Sequence, residues 1–201
     1  MINARELFGD IDIYLFDQIL KSRFSDESEI LDAGCGGGRN IVYFLRSGFP
    51  VFAVDENPEA IVHVRNLARS LAPNLPVNNF QIAKVEKMPF ADKQFDAVIS
   101  CAVLHFAESQ EHFNRMLEEM WRVLKKDGLL FVRLASSIGI EDKIELINGR
   151  RFRLPDGSER FLVDEELLTE ATNQLGGILI EPIKTTNVQN LRCMTTWIIR
   201  K

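Results

Sequence analysis

The chain is poor in the residues that build covalent or metal frameworks. Its three cysteines, Cys35, Cys101 and Cys193, lie far apart in 201 residues. None falls in a CxxC spacing, which argues against a disulfide scaffold and against a zinc site. The three histidines, His63, His105 and His112, show no ligand pattern, so no metal is expected. No apolar run approaches the ~20 residues of a membrane span, and the N-terminus lacks the basic-then-apolar order of a secretory signal. These absences predict a cytoplasmic protein that keeps clear of membranes. Positive charge is scarce as well: 24 Lys and Arg face 29 Asp and Glu, a net charge of −5. That disfavours nucleic acid as the main partner, because phosphate binding needs clustered cations. No linker, internal repeat or low-complexity segment divides the sequence, so residues 1–201 are expected to form one domain.

Against this plain background two runs stand out. Ile30-Leu31-Asp32-Ala33-Gly34-Cys35-Gly36-Gly37-Gly38-Arg39-Asn40 sets an acid two residues ahead of alternating glycines, where an apolar strand turns into a helix. Glycine there lets the backbone turn tightly and a ligand come close without a Cβ in the way. Val51-Phe52-Ala53-Val54-Asp55 is a second apolar strand, ending in a carboxylate suited to the two hydroxyls of a ribose. Together the two runs imply a nucleoside-type cofactor.

Around them strands and helices alternate. Leu7, Ile11, Leu15, Ile19 and Leu20 predict a helix over 3–23. Strands are expected over 29–33, 51–55, 77–83, 95–100 and 129–134, and helices over 40–46, 58–71 and 111–125. Pro58 suits a first helical turn, and Gly48 a helix stop. Such alternation predicts a doubly wound α/β fold with a mostly parallel sheet and helices on both faces. Residues 136–150 read as irregular, and 151–161 as a hairpin around Asp156-Gly157, together a lid or insert over 136–161. A helix capped by Asp164 and ended by Gly176-Gly177 follows. Strands over 178–186 and 192–200, with no helix between them, predict an antiparallel closing pair.

Asp32-Ala33-Gly34-Cys35-Gly36-Gly37-Gly38, Asp55, Met88-Pro89-Phe90 ahead of Phe95-Asp96-Ala97-Val98-Ile99-Ser100, and Asp127-Gly128-Leu129-Leu130, with the antiparallel ending, resemble the class I S-adenosylmethionine-dependent methyltransferases. The resemblance covers nearly the whole chain. Gly36 to Asn40 and Met194 to Lys201 are more loosely similar to the small tellurite-resistance and thiopurine-type members. What it implies is a Rossmann-like seven-stranded sheet, S-adenosyl-L-methionine as cofactor and S-adenosyl-L-homocysteine as product. By the same resemblance Gly34, Gly36 and Gly38 pass beneath the methionine part, and Asp32 accepts hydrogen bonds from its amino group. Asp55, with Glu56 beside it, would hold the ribose, the Val85 N–H would meet the adenine, and the segment opening at Ser100 would face the transferred methyl. One departure is Lys84-Val85, where relatives carry an acid and a small residue. A lysine cannot accept a hydrogen bond from the adenine amino group, which leaves Glu86 as the substitute.

The Asn/Asp-Pro-Pro-Tyr tetrad of enzymes acting on adenine or glutamine amides is missing, which points to a small-molecule acceptor. Methyl transfer is an in-line displacement in which positioning can supply much of the catalysis. His105 is the candidate base, since imidazole titrates near neutrality; the alternative is a histidine packed at the strand exit. Cys101 reads as a small buried thiol. Tyr14 would reach over the cofactor or serve as a core aromatic. Arg133 needs a partner, either substrate, Asp96 or Glu181. Arg153, with Arg150, Arg151 and Arg160, would recognise an anionic acceptor or form a solvated charged flap. The protein is expected to be a monomer or homodimer. Two rival readings remain. An NAD-dependent oxidoreductase would need glycine or alanine where Arg39 stands. A binding module that kept the fold and lost turnover is suggested by Lys84 and by the want of an obvious catalytic residue.

Overall fold

The computed structural model describes residues 3–201; Met1 and Ile2, at the start of the expected single domain, lie outside the described residues. The N-terminal helix expected over 3–23 is in fact two, α1 (Ala4–Phe8) and α2 (Ile13–Leu20). Gly9 leaves α1 at φ +63°, and the Asp12 carboxylate caps α2 by accepting the Tyr14 N–H at 3.0 Å. A left-handed glycine and a capping aspartate outweigh an apolar spacing that runs on through them.

β1 (Ile30–Ala33), α3 (Val42–Arg46), β2 (Val51–Asp55) and α4 (Pro58–Leu71) follow. Asn57 caps α4, its side chain accepting the Glu59 N–H at 2.9 Å. The strand expected over 77–83 begins as a 3-10 turn at Val77–Asn79 and narrows to β3 (Phe80–Ile82). Beyond β4 (Phe95–Cys101), a 3-10 turn at Leu104–Phe106 leads to α5 (Gln110–Val123). β5 (Leu124–Ser136) starts directly out of α5, earlier than the expected Leu129. Asp127, at φ +63°, and Gly128 make a bulge inside the strand rather than a separate helix stop.

The segment expected to be irregular contains β6 (Glu145–Asn148), which pairs with β7 (Arg151–Arg153). With β8 (Glu159–Phe161) these form a three-stranded antiparallel flap that includes the hairpin around Asp156-Gly157. α6 (Glu165–Gln174) is capped by Asp164. The next strand is split into β9 (Ile178–Leu179) and β10 (Lys184–Val188), and β11 (Arg192–Arg200) closes the chain.

The main sheet runs β10-β11-β5-β4-β1-β2-β3. β3, β2, β1, β4 and β5 are parallel, and β11 is antiparallel to β5. β9 and β10 both lie along β11, at Ile199–Arg200 and at Arg192–Thr196. They occupy one edge position interrupted near Pro182, which has no N–H to give a ladder, so the sheet has the seven strand positions expected. Successive residues of β5 and β11 face opposite sides. Leu130 and Trp197 join Phe113, Leu117 and Met120 of α5 and Leu168 of α6 on one face. Phe131 and Ile198 join Leu15, Phe44, Ile61 and Val64 of α2, α3 and α4 on the other. The doubly wound architecture is thus built from both faces of a single sheet.

Candidate active site

Crevices at the carboxyl ends of parallel strands, where the strand order reverses, are the ligand sites of doubly wound sheets. Here β1 pairs with β2 on one side and β4 on the other, and a cavity of about 560 Å³ opens above their ends. Its floor is the turn after β1. Gly34 takes φ +82°, and a Cβ on it would sit 2.5 Å from Val103 Cγ2. Gly36, at φ +49°, and Gly37 have nothing within 4 Å of where a Cβ would stand. Gly34, Gly36 and Gly37 line the cavity. Gly38 does not; it turns at φ +75° against Val64 and Leu67 of α4, where a Cβ would lie 3.0 Å from the Val64 methyl.

Asp55 ends β2 and lines the cavity. Its Oδ2 accepts the Gly36 N–H at 2.8 Å and its Oδ1 the Asn57 N–H at 2.9 Å. Each oxygen retains a second lone pair, which is what two ribose hydroxyls require. Glu56, Val85 and Glu86 are also on the wall. Lys84 shares it but its side chain is 66% exposed, and its ammonium lies 4.0 Å from Glu86. Glu86 is 3.5 Å from His112 Nε2, and both line the cavity.

Asp32 lies beneath the glycine turn, 1% exposed, and neither of its oxygens has a hydrogen-bond partner among the described residues. Burial pushes its carboxyl up to about 7, with the Asp55 charge adding to the rise and Arg39 opposing it. An orphaned buried carboxylate is costly unless something cationic answers it. An ammonium carried in by a ligand fits that need. The cradle without Cβ atoms, the Asp55 lone pairs and the buried Asp32 together fit S-adenosylmethionine.

Other expected residues stand elsewhere. Ser100 is fully buried, its hydroxyl without a partner. His105 is 6% exposed, and its Nδ1 accepts the Ala135 N–H at 3.1 Å. Burial lowers its imidazole to about 4, assisted by Arg160 and Arg192. It is off the cavity wall, neutral and engaged, which is the packed-histidine alternative. Arg133 pairs with neither Asp96 nor Glu181. Its Nε is 3.0 Å from Asp12 Oδ2, while Asp96 holds Lys125 at 2.8 Å and Glu181 holds Lys21 at 2.7 Å. Tyr14 stacks on Arg133, 4.8 Å from guanidinium carbon to ring centre, and its hydroxyl meets Thr186 at 2.7 Å. Arg153 is spent on Glu159 at 2.9 Å and Arg151 lies 3.6 Å from the same carboxylate in the flap. Arg150 pairs with the α6 cap Asp164 at 2.8 Å, and Arg160 lies over the Phe106 ring at 4.9 Å. Sequence reasoning missed Asp12, although a cap residue between two helices was the signal. Arg39, given no binding role in the sequence, lines the cavity.

A doubly wound sheet whose reversal point holds a glycine cradle between two strand-end carboxylates belongs to the class of S-adenosylmethionine-dependent methyltransferases. Residues 31–132, just over half of the chain, match the family model described as a methyltransferase domain, and the protein belongs to that family. It is 38% identical over 122 residues to a thiol S-methyltransferase of Rattus norvegicus, the match covering 58% of this chain and 47% of that protein. The chain spans about half the length of the curated relatives it matches. Among solved structures, a methyltransferase of Methanosarcina mazei superposes with TM-score 0.72 at 22% identity, covering 91% of this chain and 96% of that one. A Burkholderia thailandensis 1,6-didemethyltoxoflavin-N1-methyltransferase, with that compound and S-adenosylhomocysteine bound, gives 0.71 at 19% identity over 96% and 79%. These two likenesses concern the fold.

Proposed function

We propose that the protein, acting as one domain, transfers a methyl group from S-adenosylmethionine to a small-molecule acceptor. The observation that carries this is a glycine floor in one cavity with Asp55 on its wall, tied to the Gly36 N–H, and the unpartnered Asp32 carboxylate buried beneath the turn. When bound, the cofactor supplies an electrophilic methyl group on a sulfonium. The chain's work is then positional. The Gly34 to Gly37 backbone bears the amino-acid part, with the buried Asp32 carboxylate below it; Asp55 and Glu56 hold the ribose, and Val85 and Glu86 the base. Ala102, at φ +63° with its N–H donated to the Arg133 carbonyl at 2.7 Å, turns the chain so that Val103 closes the cavity above Gly34.

No strong base faces the cavity among the described residues. His112 spends Nδ1 on the Glu108 N–H at 3.3 Å and turns Nε2 to Glu86. Burial pushes the Cys101 thiol up to about 11, so it stays protonated. The acceptor must therefore arrive with a usable lone pair near neutrality, as a thiol or a ring or chain nitrogen does. The similarity to a thiol S-methyltransferase and the fold shared with an N-methyltransferase support that choice. No helix among the described residues is long and apolar enough to cross a membrane. The three cysteines are free and buried, in keeping with a reducing compartment such as the cytoplasm.

Calorimetric titration with S-adenosylmethionine, S-adenosylhomocysteine and NAD side by side tests the reading. Micromolar binding of the first two and none of NAD is expected. Binding of NAD alone, or silence from all three, overturns it.

A further inference from the structure

The cavity is charged oppositely at its two ends. Toward the ribose and base, Asp55, Glu56, Glu86 and Glu108 line it, with Lys84 as the cation among them. At the other end, where Arg39 meets the Cys101 sulfur, Arg39 is the one charged residue among the described residues of the wall, which also includes Val103 and Phe106. Behind Arg39 stands Arg133, and both guanidiniums address the same oxygen, Asp12 Oδ2. Arg133 has the closer contact at 3.0 Å and Arg39 the looser one at 3.7 Å. The remaining partners of Arg39 carry no charge: the Cys101 sulfur at 3.0 Å and the Asp10 carbonyl at 3.4 Å. One carboxylate thus contacts two arginines, with the buried Asp32 acting on Arg39 from further off, and Arg133 Nη1 is buried with no partner among the described residues. The cluster keeps a surplus positive charge, and the Arg39 side chain that presents it to the cavity is 49% exposed.

We propose that the methyl acceptor carries an anionic group, a carboxylate or similar oxyanion, and that Arg39 is the specificity-determining residue that binds it. The proposal rests on the reading above, in which the opposite end of the cavity holds the cofactor. A guanidinium presents a planar fork that matches two oxygens. Arg39 is also held in place before any ligand comes. Asp12 is fixed as the cap of α2, its N–H donating to Asn40 Oδ1 at 3.1 Å, and the Tyr14 ring braces Arg133 from the far side. Val103 and Phe106 supply an apolar wall for the rest of the acceptor. The anion contact expected on the flap at Arg153 moves, on this account, to the loop that follows the glycine turn.

Benzoate and its neutral isostere benzamide are suitable probes, because a flat ring suits Val103 and Phe106. Their binding to the full chain saturated with S-adenosylhomocysteine is read by ligand-observed NMR. Benzoate is expected to bind roughly tenfold more tightly than benzamide in the native protein. Arg39→Gln should erase that preference and Arg39→Lys keep part of it, both leaving the affinity for S-adenosylhomocysteine within about twofold. Equal or absent binding of the two probes by the native protein overturns the proposal. So does a roughly tenfold loss of S-adenosylhomocysteine affinity in Arg39→Gln, which would assign the guanidinium to the cofactor's own carboxylate. A native protein that ignores S-adenosylhomocysteine sinks the cofactor reading, a separate failure seen before either probe is added, and takes the acceptor proposal with it.

Discussion

The end of the cavity proposed for the cofactor is built from the turn over residues 34 to 37, with Asp32 beneath it, and from Asp55, and a hydrogen bond from the Gly36 N–H to Asp55 joins the two strand ends. At the other, Asp12, Arg39, Cys101 and Arg133 meet from four separate elements, with 89 positions of sequence between Asp12 and Cys101 alone. The first end is a local device: strand, turn and helix must follow one another in order for it to exist. The second is a tertiary device, assembled only when α2 docks over the ends of β4 and β5. A local device tolerates little change because its backbone is the binding surface. A tertiary device can exchange side chains while the scaffold stands, which suits the specificity role proposed for it.

That contrast can be broken, beginning where the effect is largest. Gly34→Ala places a Cβ 2.5 Å from Val103 at a backbone φ of +82°. It is expected to lose about 3 kcal/mol or more of stability and all measurable S-adenosylhomocysteine binding; a variant that melts and binds like the native protein refutes the cradle. Next come two buried titrating groups, Asp32 beneath the first end and His105 off the cavity altogether. Asp32 stands at about 7 against 3.8 for an ordinary aspartate. Between those values the folded state holds the extra proton, so its contribution weakens as pH rises and is fully lost above about 7. His105 stands at about 4 against 6.5. Between those values the unfolded chain holds the extra proton, so stability is lost as pH falls. The two windows overlap and oppose one another, so between about 4 and 7 they largely cancel in the native protein. In urea unfolding of the unliganded protein, Asp32→Asn should leave stability rising with pH across that window and His105→Gln should leave it falling, each by on the order of 2 kcal/mol. Identical pH slopes in variant and native protein would discredit the burial argument for that residue.

Asp55→Ala deletes both the ribose contact and the anchor on the Gly36 N–H. Calorimetry should show more than a tenfold drop in S-adenosylhomocysteine affinity, about 1.4 kcal/mol, and an unchanged value removes the ribose assignment. The smallest effect is reserved for Arg153→Ala. Its ion pair with Glu159 lies on an exposed flap, where solvent screens such pairs and they add little to stability. Neither melting nor cofactor affinity should move appreciably, and a large loss of either would bring the flap back into the site.

The same contrast explains what was legible in the sequence. Helix α4 begins at Pro58 and ends at Leu71 as its Asn57 cap and apolar spacing dictate, and β2 ends at Asp55. Both are decided by neighbouring residues. The paired strand-end carboxylates were visible for that reason. Where local signals competed, they misled: Leu7 to Leu20 keep a helical period across a break that Gly9 and Asp12 impose. The strand over 178–186 looked continuous because Pro182 removes a donor without disturbing the apolar pattern. The partner of Arg133 was not legible at all. Asp96, Glu181 and Asp12 are all carboxylates in loops or at element ends, and only docking of α2 decides among them. His105 looked like a base for its chemistry, and its burial beside the Ala135 amide has no signature in its neighbours.

The missing Cβ of Gly34 leaves room for more than a ligand. It is the space that Val103 fills, so the turn after β1 and the turn after β4 are keyed to one another like two halves of a joint. A descendant of this chain could give residue 34 a side chain only after residue 103 had shrunk, and would gain nothing from either change alone. Gly34→Ala combined with Val103→Ala should accordingly be less harmful than the first substitution by itself. The order in which mutations can accumulate at the mouth of the site is thus written into a single pair of atoms.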